Sequence, residues 1–228
     1  MNDKFKAQND KFKAHIVYKN SEGKRIPGVT TITGELGWSK RILINWSNRM
    51  GLEGIETNLY VDDKAAIGTL AHLIITSQLQ GIKNSAIFND YSKNQIKAAL
   101  NAVRSFDAWA KEHKIEPIII EKPLVSRLNF GGTIDIYGKV NGMLELIDLK
   151  TGKGIYDEHL IQVGGGYDIL LTENDYPTNK VRILNIPRAD SEKFFEHEIV
   201  NLKECKAIFI NCLNNYQLHK TVRKELKW

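Results

Sequence analysis

The chain has 228 residues, 42% of them hydrophobic and 26% charged, enough apolar material for one sizeable core and too much for a disordered or low-complexity protein. No stretch approaches the roughly 18 apolar residues of a membrane span, and Met1-Asn2-Asp3-Lys4-Phe5-Lys6 lacks an apolar signal region, so a soluble, cytoplasmic protein is expected. Lys plus Arg number 32 against 27 Asp plus Glu, and the net charge of +5 suits a polyanionic partner without requiring one.

Residues 2–7 (Asn-Asp-Lys-Phe-Lys-Ala) recur as residues 9–14. Residues 1–14 are therefore read as a polar arm ahead of a single domain, 15–228, and the duplication is either without a role or a basic arm for nucleic acid. Within the domain a helical region (about 30–113) precedes a core of strands and helices (about 114–228). His15 to Tyr18 is expected as a short strand, Ser21-Glu22-Gly23-Lys24 as a turn, and Pro27 to Thr33 as a loop leading into a helix that ends near Met50. Trp38 and Trp46 mark this stretch; an amphipathic helix packs such rings in the core, while a free ring can stack on a base. Asp62 to Gln80 and Asn94 to about His113, the latter with Ile96, Ala99, Leu100, Val103, Phe106 and Ala110, keep helical spacing. On the first of these, His72 follows Gly68-Thr69-Leu70-Ala71, and two readings stand: a hydrogen-bonded core histidine, or a ring with a charged partner in a site.

Pro117 closes the helical region, and Ile118 to Glu121, Gly132 to Lys139 and Met143 to Lys150 are expected as strands. Asn141-Gly142 between the last two is the strongest short-range hairpin signal, a two-residue type I′ turn, and pairing residues symmetrically about it sets Asp135 opposite Asp148. Carboxylates directly opposite on one sheet face sit about 4.5–5.5 Å apart at Cβ and repel; a divalent cation fits that gap. The strand period puts Lys150 on the same face and Ile147 and Leu149 on the other. The alternative is a solvated Asp-x-Lys ion pair worth under about 1 kcal/mol. The nearly continuous apolar run Met143 to Ile147 argues instead for a strand covered on both faces, where charges are costly unless they serve a site.

Thr151-Gly152-Lys153-Gly154 is not a phosphate loop, because a Walker A motif needs glycine where Ile147 stands. Tyr156 to Leu171 has helical spacing but contains Gly164-Gly165-Gly166, each costing about 1 kcal/mol relative to alanine in a helix; either something approaches that backbone closely or the helix breaks there. No Gly-x-Gly-x-x-Gly follows a strand, which removes a dinucleotide site. Val181 to Pro187 and Phe194 to Val200 are expected strands, and Glu204 to Leu218 a last amphipathic helix. Its stripe of Cys205, Ile208, Phe209, Cys212, Leu213 and Tyr216 makes the two cysteines core residues rather than ligands or a disulfide. Scattered histidines and cysteines without an electropositive setting give no basis for covalent catalysis.

Taken together, His72, Glu121, Gly132-Thr133-Ile134-Asp135, Asp148-Leu149-Lys150, and Gln162 followed five residues later by Tyr167 resemble the RecB-like branch of the PD-(D/E)XK nuclease superfamily over about residues 68–170. Ile26-Pro27-Gly28-Val29-Thr30-Thr31-Ile32 and Trp46 look like the start of phage-encoded and mitochondrial-type exonucleases of that branch. Ile134 stands where the superfamily's nominal motif has proline, and the glycine triplet departs from a regular helix.

The resemblance implies an α/β fold: a PD-(D/E)XK nuclease core, with a central mixed sheet flanked by helices and an N-terminal helical region. It implies that Asp135 and Asp148, with the backbone carbonyl of Leu149, bind Mg²⁺ or Mn²⁺, and that His72 completes the set. Lys150 would position or deprotonate the attacking water and stabilise charge on the phosphate, Glu121 would act through water or a second metal, and Gln162 and Tyr167 would orient the lysine or the DNA backbone. The expected activity is metal-dependent DNA hydrolysis of the exonuclease type, on single- or double-stranded DNA with ends, in recombination, repair or phage DNA processing, with the oligomeric state open. The alternatives are a non-catalytic nucleic-acid-binding protein on the same fold and an endonuclease, the latter expecting an added recognition domain.

Overall fold

The computed structural model describes residues 16–83 and 85–226, so the expected polar arm and His15 of the expected first strand lie outside the described residues. Local chemistry sets the leading helices. After the helical turn α1 (Val29–Thr33) and α2 (Lys40–Leu52), Glu56 caps α3 (Thr57–Leu79) by accepting from the N–H groups of Asn58 and Leu59. Ser92 and Gln95 form a reciprocal capping box that starts α4 (Lys93–Glu112). The expected loop at Pro27 to Thr33 is thus partly helical; residues 16–18 of the expected first strand form no strand, and the next residue, Lys19, makes an isolated bridge with Arg25 across the turn at 20–24.

Then come β1 (Ile115–Val125), β2 (Gly131–Val140) and β3 (Met143–Thr151), followed by a helix in three parts: α5 (Asp157–Leu160), a π-helix (Ile161–Tyr167) and α6 (Asp168–Glu173). The chain ends with β4 (Lys180–Ile186), β5 (Phe195–Glu198) and α7 (Leu202–Val222). The sheet order is β1-β2-β3-β4-β5, antiparallel except for β3 and β4, which are parallel. Parallel neighbours need a crossover, and the three-part helix supplies it. β1 begins earlier than expected and carries Pro117 at a register shift, tolerable because β1 is an edge strand.

The mixed sheet is flanked by helices on both faces. On one, Leu146, Val181 and Ile183 pack with Val29 and Ile32 of α1, the crossover helix, and Phe209, Cys212 and Leu213 of α7; on the other, Ile147, Leu149, Leu184 and Ile186 pack with α3 and α4. Cys205 and Cys212 are free and buried in the first of these cores. α2 differs: of its residues only Met50 is buried, while Trp46 is half-buried against Tyr60 and Trp38 is half-exposed, so neither tryptophan is a core residue. Among the described residues, no helix is long and apolar enough to cross a membrane.

Candidate metal centre

The turn Asn141-Gly142, with φ of 50° and 86°, has the two left-handed residues of a type I′ connection and places Ile136 opposite Ile147 as the last paired rung of β2 and β3. One step further, where Asp135 and Asp148 come next, the ladder has stopped and the strands part. Asp135 occupies the opening: its Oδ2 accepts the N–H of Leu149 at 2.9 Å and lies 3.6 Å from His72 Nδ1. Leu149 therefore meets Asp135 through its N–H, while its side chain is buried in the core under α3 and α4.

Close packing brings the remaining groups in. A Cβ on Gly68, one turn before His72, would lie 2.7 Å from Thr151 Oγ1, so α3 can sit this near the end of β3 only with glycine there. A Cβ on Gly131 would lie 2.4 Å from the Tyr18 ring, and one on Gly132 would lie 2.8 Å from the Tyr167 ring. The two glycines that open β2 thus admit a tyrosine each. Tyr18 is tied further by its hydroxyl, 3.0 Å from Thr133 Oγ1.

Glu121 arrives from β1. Its neighbours pair as Ile120 with Ile136 and Lys122 with Ile134, so the register sets it against Asp135. Its own φ is 49°, a left-handed conformation that costs a non-glycine residue about 1–3 kcal/mol. The kink delivers the carboxylate to a group in which single ligand atoms of His72, Glu121 and Asp135 all lie within 4.8 Å of one another. A Mg–O distance of about 2.1 Å puts opposite ligands about 4.2 Å apart, so one divalent ion spans this group with small side-chain adjustments. The donor set, one imidazole and two carboxylates, suits such an ion.

Asp148 sits beside this triad, buried, with the Lys150 ammonium 2.6 Å from its Oδ2; that oxygen has no partner of hydrogen-bond geometry, and the contact is an ion pair. Burial pushes Asp148 up to about 6, against the Lys150 ammonium and with help from Asp135. Burial of its carboxyl, then Asp135 and Asp148, push Glu121 up to about 7, with His72 opposing. Glu121 as a whole residue lies exposed at the rim, so water screens part of that effect, and the direction is the firm result. Two neighbouring carboxylates, Glu121 and Asp148, that resist ionising without a counter-charge are what a cation site offers when read from its electrostatics.

Gln162 and Tyr167 meet directly: Gln162 Nε2 donates to Tyr167 Oη at 2.9 Å, and burial, with Asp148 and Asp135 nearby, holds that phenol well above its ordinary range. Five residues on an α-helix, at about 100° each, would leave the pair on different faces. The π-helix, bonded i to i+5, sets them side by side. Both explanations for the glycine triplet hold in part, since the helix changes type there and α7 and α1 press on it: a Cβ on Gly165 would lie 2.7 Å from the Cys205 carbonyl oxygen, and one on Gly166 2.5 Å from Val29.

The structure therefore gathers His72, Glu121 and Asp135 as one group, Asp148 and Lys150 as an adjoining pair, and Gln162 with Tyr167 behind them. The sequence reading had Glu121 act through water or a second metal, and its carboxylate lies with His72 and Asp135 in a three-ligand group. It also passed over His159, whose Nδ1 accepts the Tyr156 N–H at 3.2 Å and which burial, then Lys150, push down to about 4. The available signal was its place three residues before Gln162 on one helix.

No protein-family model matches the chain, and a search of curated protein sequences finds no match. Among solved structures, SSO0001 matches with 15% identity and a TM-score of 0.34 over 65% of this chain and 72% of that one. The "Putative exonuclease" from Eubacterium rectale matches with 12% identity and a TM-score of 0.44 over 65% of this chain and 68% of that one.

Proposed function

We propose that the chain is a metal-dependent deoxyribonuclease of the RecB-like PD-(D/E)XK type that hydrolyses phosphodiesters from DNA ends. The observation that carries this is the clustering of His72, Glu121 and Asp135 beside the buried Asp148–Lys150 pair, in the motif order that resembles that branch. His72, Glu121, Asp135 and Asp148 would hold Mg²⁺ or Mn²⁺, with the Leu149 carbonyl the further ligand that the resemblance implies. When bound, the ion supplies charge neutralisation at the phosphate and a lowered pKa for the attacking water.

The chain's own groups do the rest. Lys150, held by Asp148, presents an ammonium to the phosphate and orients the attacking water, an interaction that strengthens as charge builds on the phosphoryl oxygens. Tyr167, kept neutral by burial and held in place by the Gln162 hydrogen bond, walls the Asp148 side and excludes solvent. Neutral His159, its Nδ1 already engaged by the Tyr156 N–H, leaves Lys150 without a second cation beside it.

The test uses linear and covalently closed circular DNA of equal mass, with Mg²⁺ or Mn²⁺ and with excess EDTA. Linear DNA should be released as acid-soluble product only with metal, and closed circles should survive. Degradation in EDTA would remove the metal from the mechanism. Cutting of circles into discrete fragments would make the enzyme an endonuclease, and tight DNA binding without turnover would make it a binding protein on a nuclease fold.

A further inference from the structure

Resting on the nuclease reading, we propose that the cleft leading out from Glu121 is the path of a single nucleic-acid strand, gripped by Arg25 and Lys220 and stacked on Tyr216. The cleft has a volume of about 860 Å³ and is lined at its inner end by Glu121 and Thr133. A second hollow of about 480 Å³ shares the wall of Arg25, Pro27, Tyr216 and Lys220 and continues to Arg127. The two share a wall and make one groove that starts at the candidate metal centre, with room for a few nucleotides.

Its chemistry is that of a single-strand site. Tyr216 and Lys220, four residues apart, share one face of α7. Arg25 comes from the turn at 20–25 and Arg127 from the loop between β1 and β2, and Asn20 Nδ2 donating to Asn129 Oδ1 at 2.9 Å pins those two segments together. Among the described residues Arg25, Arg127 and Lys220 form no ion pair; the groove's carboxylates are Glu121, in the metal centre, and Glu22, already paired with Lys24 at 2.7 Å. Three uncompensated cations in one concavity repel each other and favour a polyanion. A half-buried tyrosine among them adds the flat face on which any base can stack, so the site tolerates sequence and reads backbone and base plane alone. A strand lying here would feed its phosphates past Tyr18 and Thr133 to Glu121.

The experiment measures binding of a fluorescent oligo-dT dodecamer, a trinucleotide and a duplex dodecamer to the full chain in EDTA, over a range of salt. The wild type should bind the single-stranded dodecamer at least about tenfold tighter than the trinucleotide. Arg25→Ala combined with Lys220→Ala should weaken the dodecamer and reduce the slope of log affinity against log salt by about 1.4, since single strands lose about 0.7 per phosphate contact. Tyr216→Ala should weaken it by about 5- to 150-fold with the salt slope unchanged, while Tyr216→Phe binds as the wild type. Melting temperatures of all variants separate misfolding from loss of contact. A wild type that binds the dodecamer while the double variant binds equally well, with the same salt slope, overturns the path and leaves the nuclease reading standing. Equal losses for the duplex assign the groove to double-stranded DNA and overturn the single-strand proposal. A wild type that fails to bind the single-stranded dodecamer overturns the path, and the nuclease reading is then decided separately by metal-dependent degradation of linear DNA.

Discussion

Protons would compete with the proposed divalent ion for the same carboxylates. Glu121 and Asp148 both have folded pKa values raised above the ordinary 4.5 and 3.8, to about 7 and about 6. Their contribution to stability is therefore fully present below the ordinary values, falls as pH rises above them, and is gone once pH has passed through about 6 to about 7. Calorimetry in EDTA should show the melting temperature falling across that window, and Mn²⁺ should restore it more at the alkaline end than at the acid end. Glu121→Gln should flatten the fall; an unchanged profile would mean that Glu121 does not share its charge with the cluster. His159 titrates with the opposite sign, since a folded value of about 4 gives stability that is present above 6.5 and lost as pH falls through about 4. Lys150→Ala should lower kcat by about 10²–10³-fold while DNA affinity in EDTA changes little, because its contact matters most in the transition state. Asp148→Asn should lose metal binding and turnover and keep the fold, checked by calorimetric metal titration; metal affinity equal to the wild type would exclude Asp148 as a ligand.

At the level of elements, glycine contacts make separate predictions. Gly165→Ala should destabilise by about 1–3 kcal/mol in urea denaturation, because the atom its Cβ meets is a backbone carbonyl of α7 that cannot step aside. Gly154→Ala, with nothing within 4 Å, should be neutral. How far such detail could be read in advance depended on turn chemistry. Asn141-Gly142 admits essentially one connection, so the β2–β3 register, and with it the nearness of Asp135 to Asp148, was legible. β1 joins β2 through the longer loop 126–130 and shifts register near Pro117, which is why the position of Glu121 against Asp135 could not be read. The π-helix was hidden for a different reason: apolar periodicity scores turns of 3.6 residues, and only the five-residue spacing of Gln162 and Tyr167 gave a hint of wider ones.

For the whole molecule, the sheet buried on both faces is the organising fact, and the nearly unbroken apolar run of β3 announced it. Leu146→Ala and Ile147→Ala, adjacent in sequence and pointing into opposite cores, should each cost about 2–5 kcal/mol; a neutral result for either would show that its face is not closely packed. α2 was harder to read, because amphipathic spacing says that a helix has an apolar side and not what covers it. Ile42, Leu43, Ile44 and Leu52 are all more than half exposed. The π-helix also bears on how chains of this kind should be aligned. Remove one residue from Gly164-Gly165-Gly166 and the wide turn closes into an ordinary α-helix, in which a glutamine and a tyrosine four apart would make the same contact. A relative built that way would differ from this chain by a single gap inside a helix, the place where alignments are least willing to open one, and every residue on one side of that gap would be compared with the wrong partner.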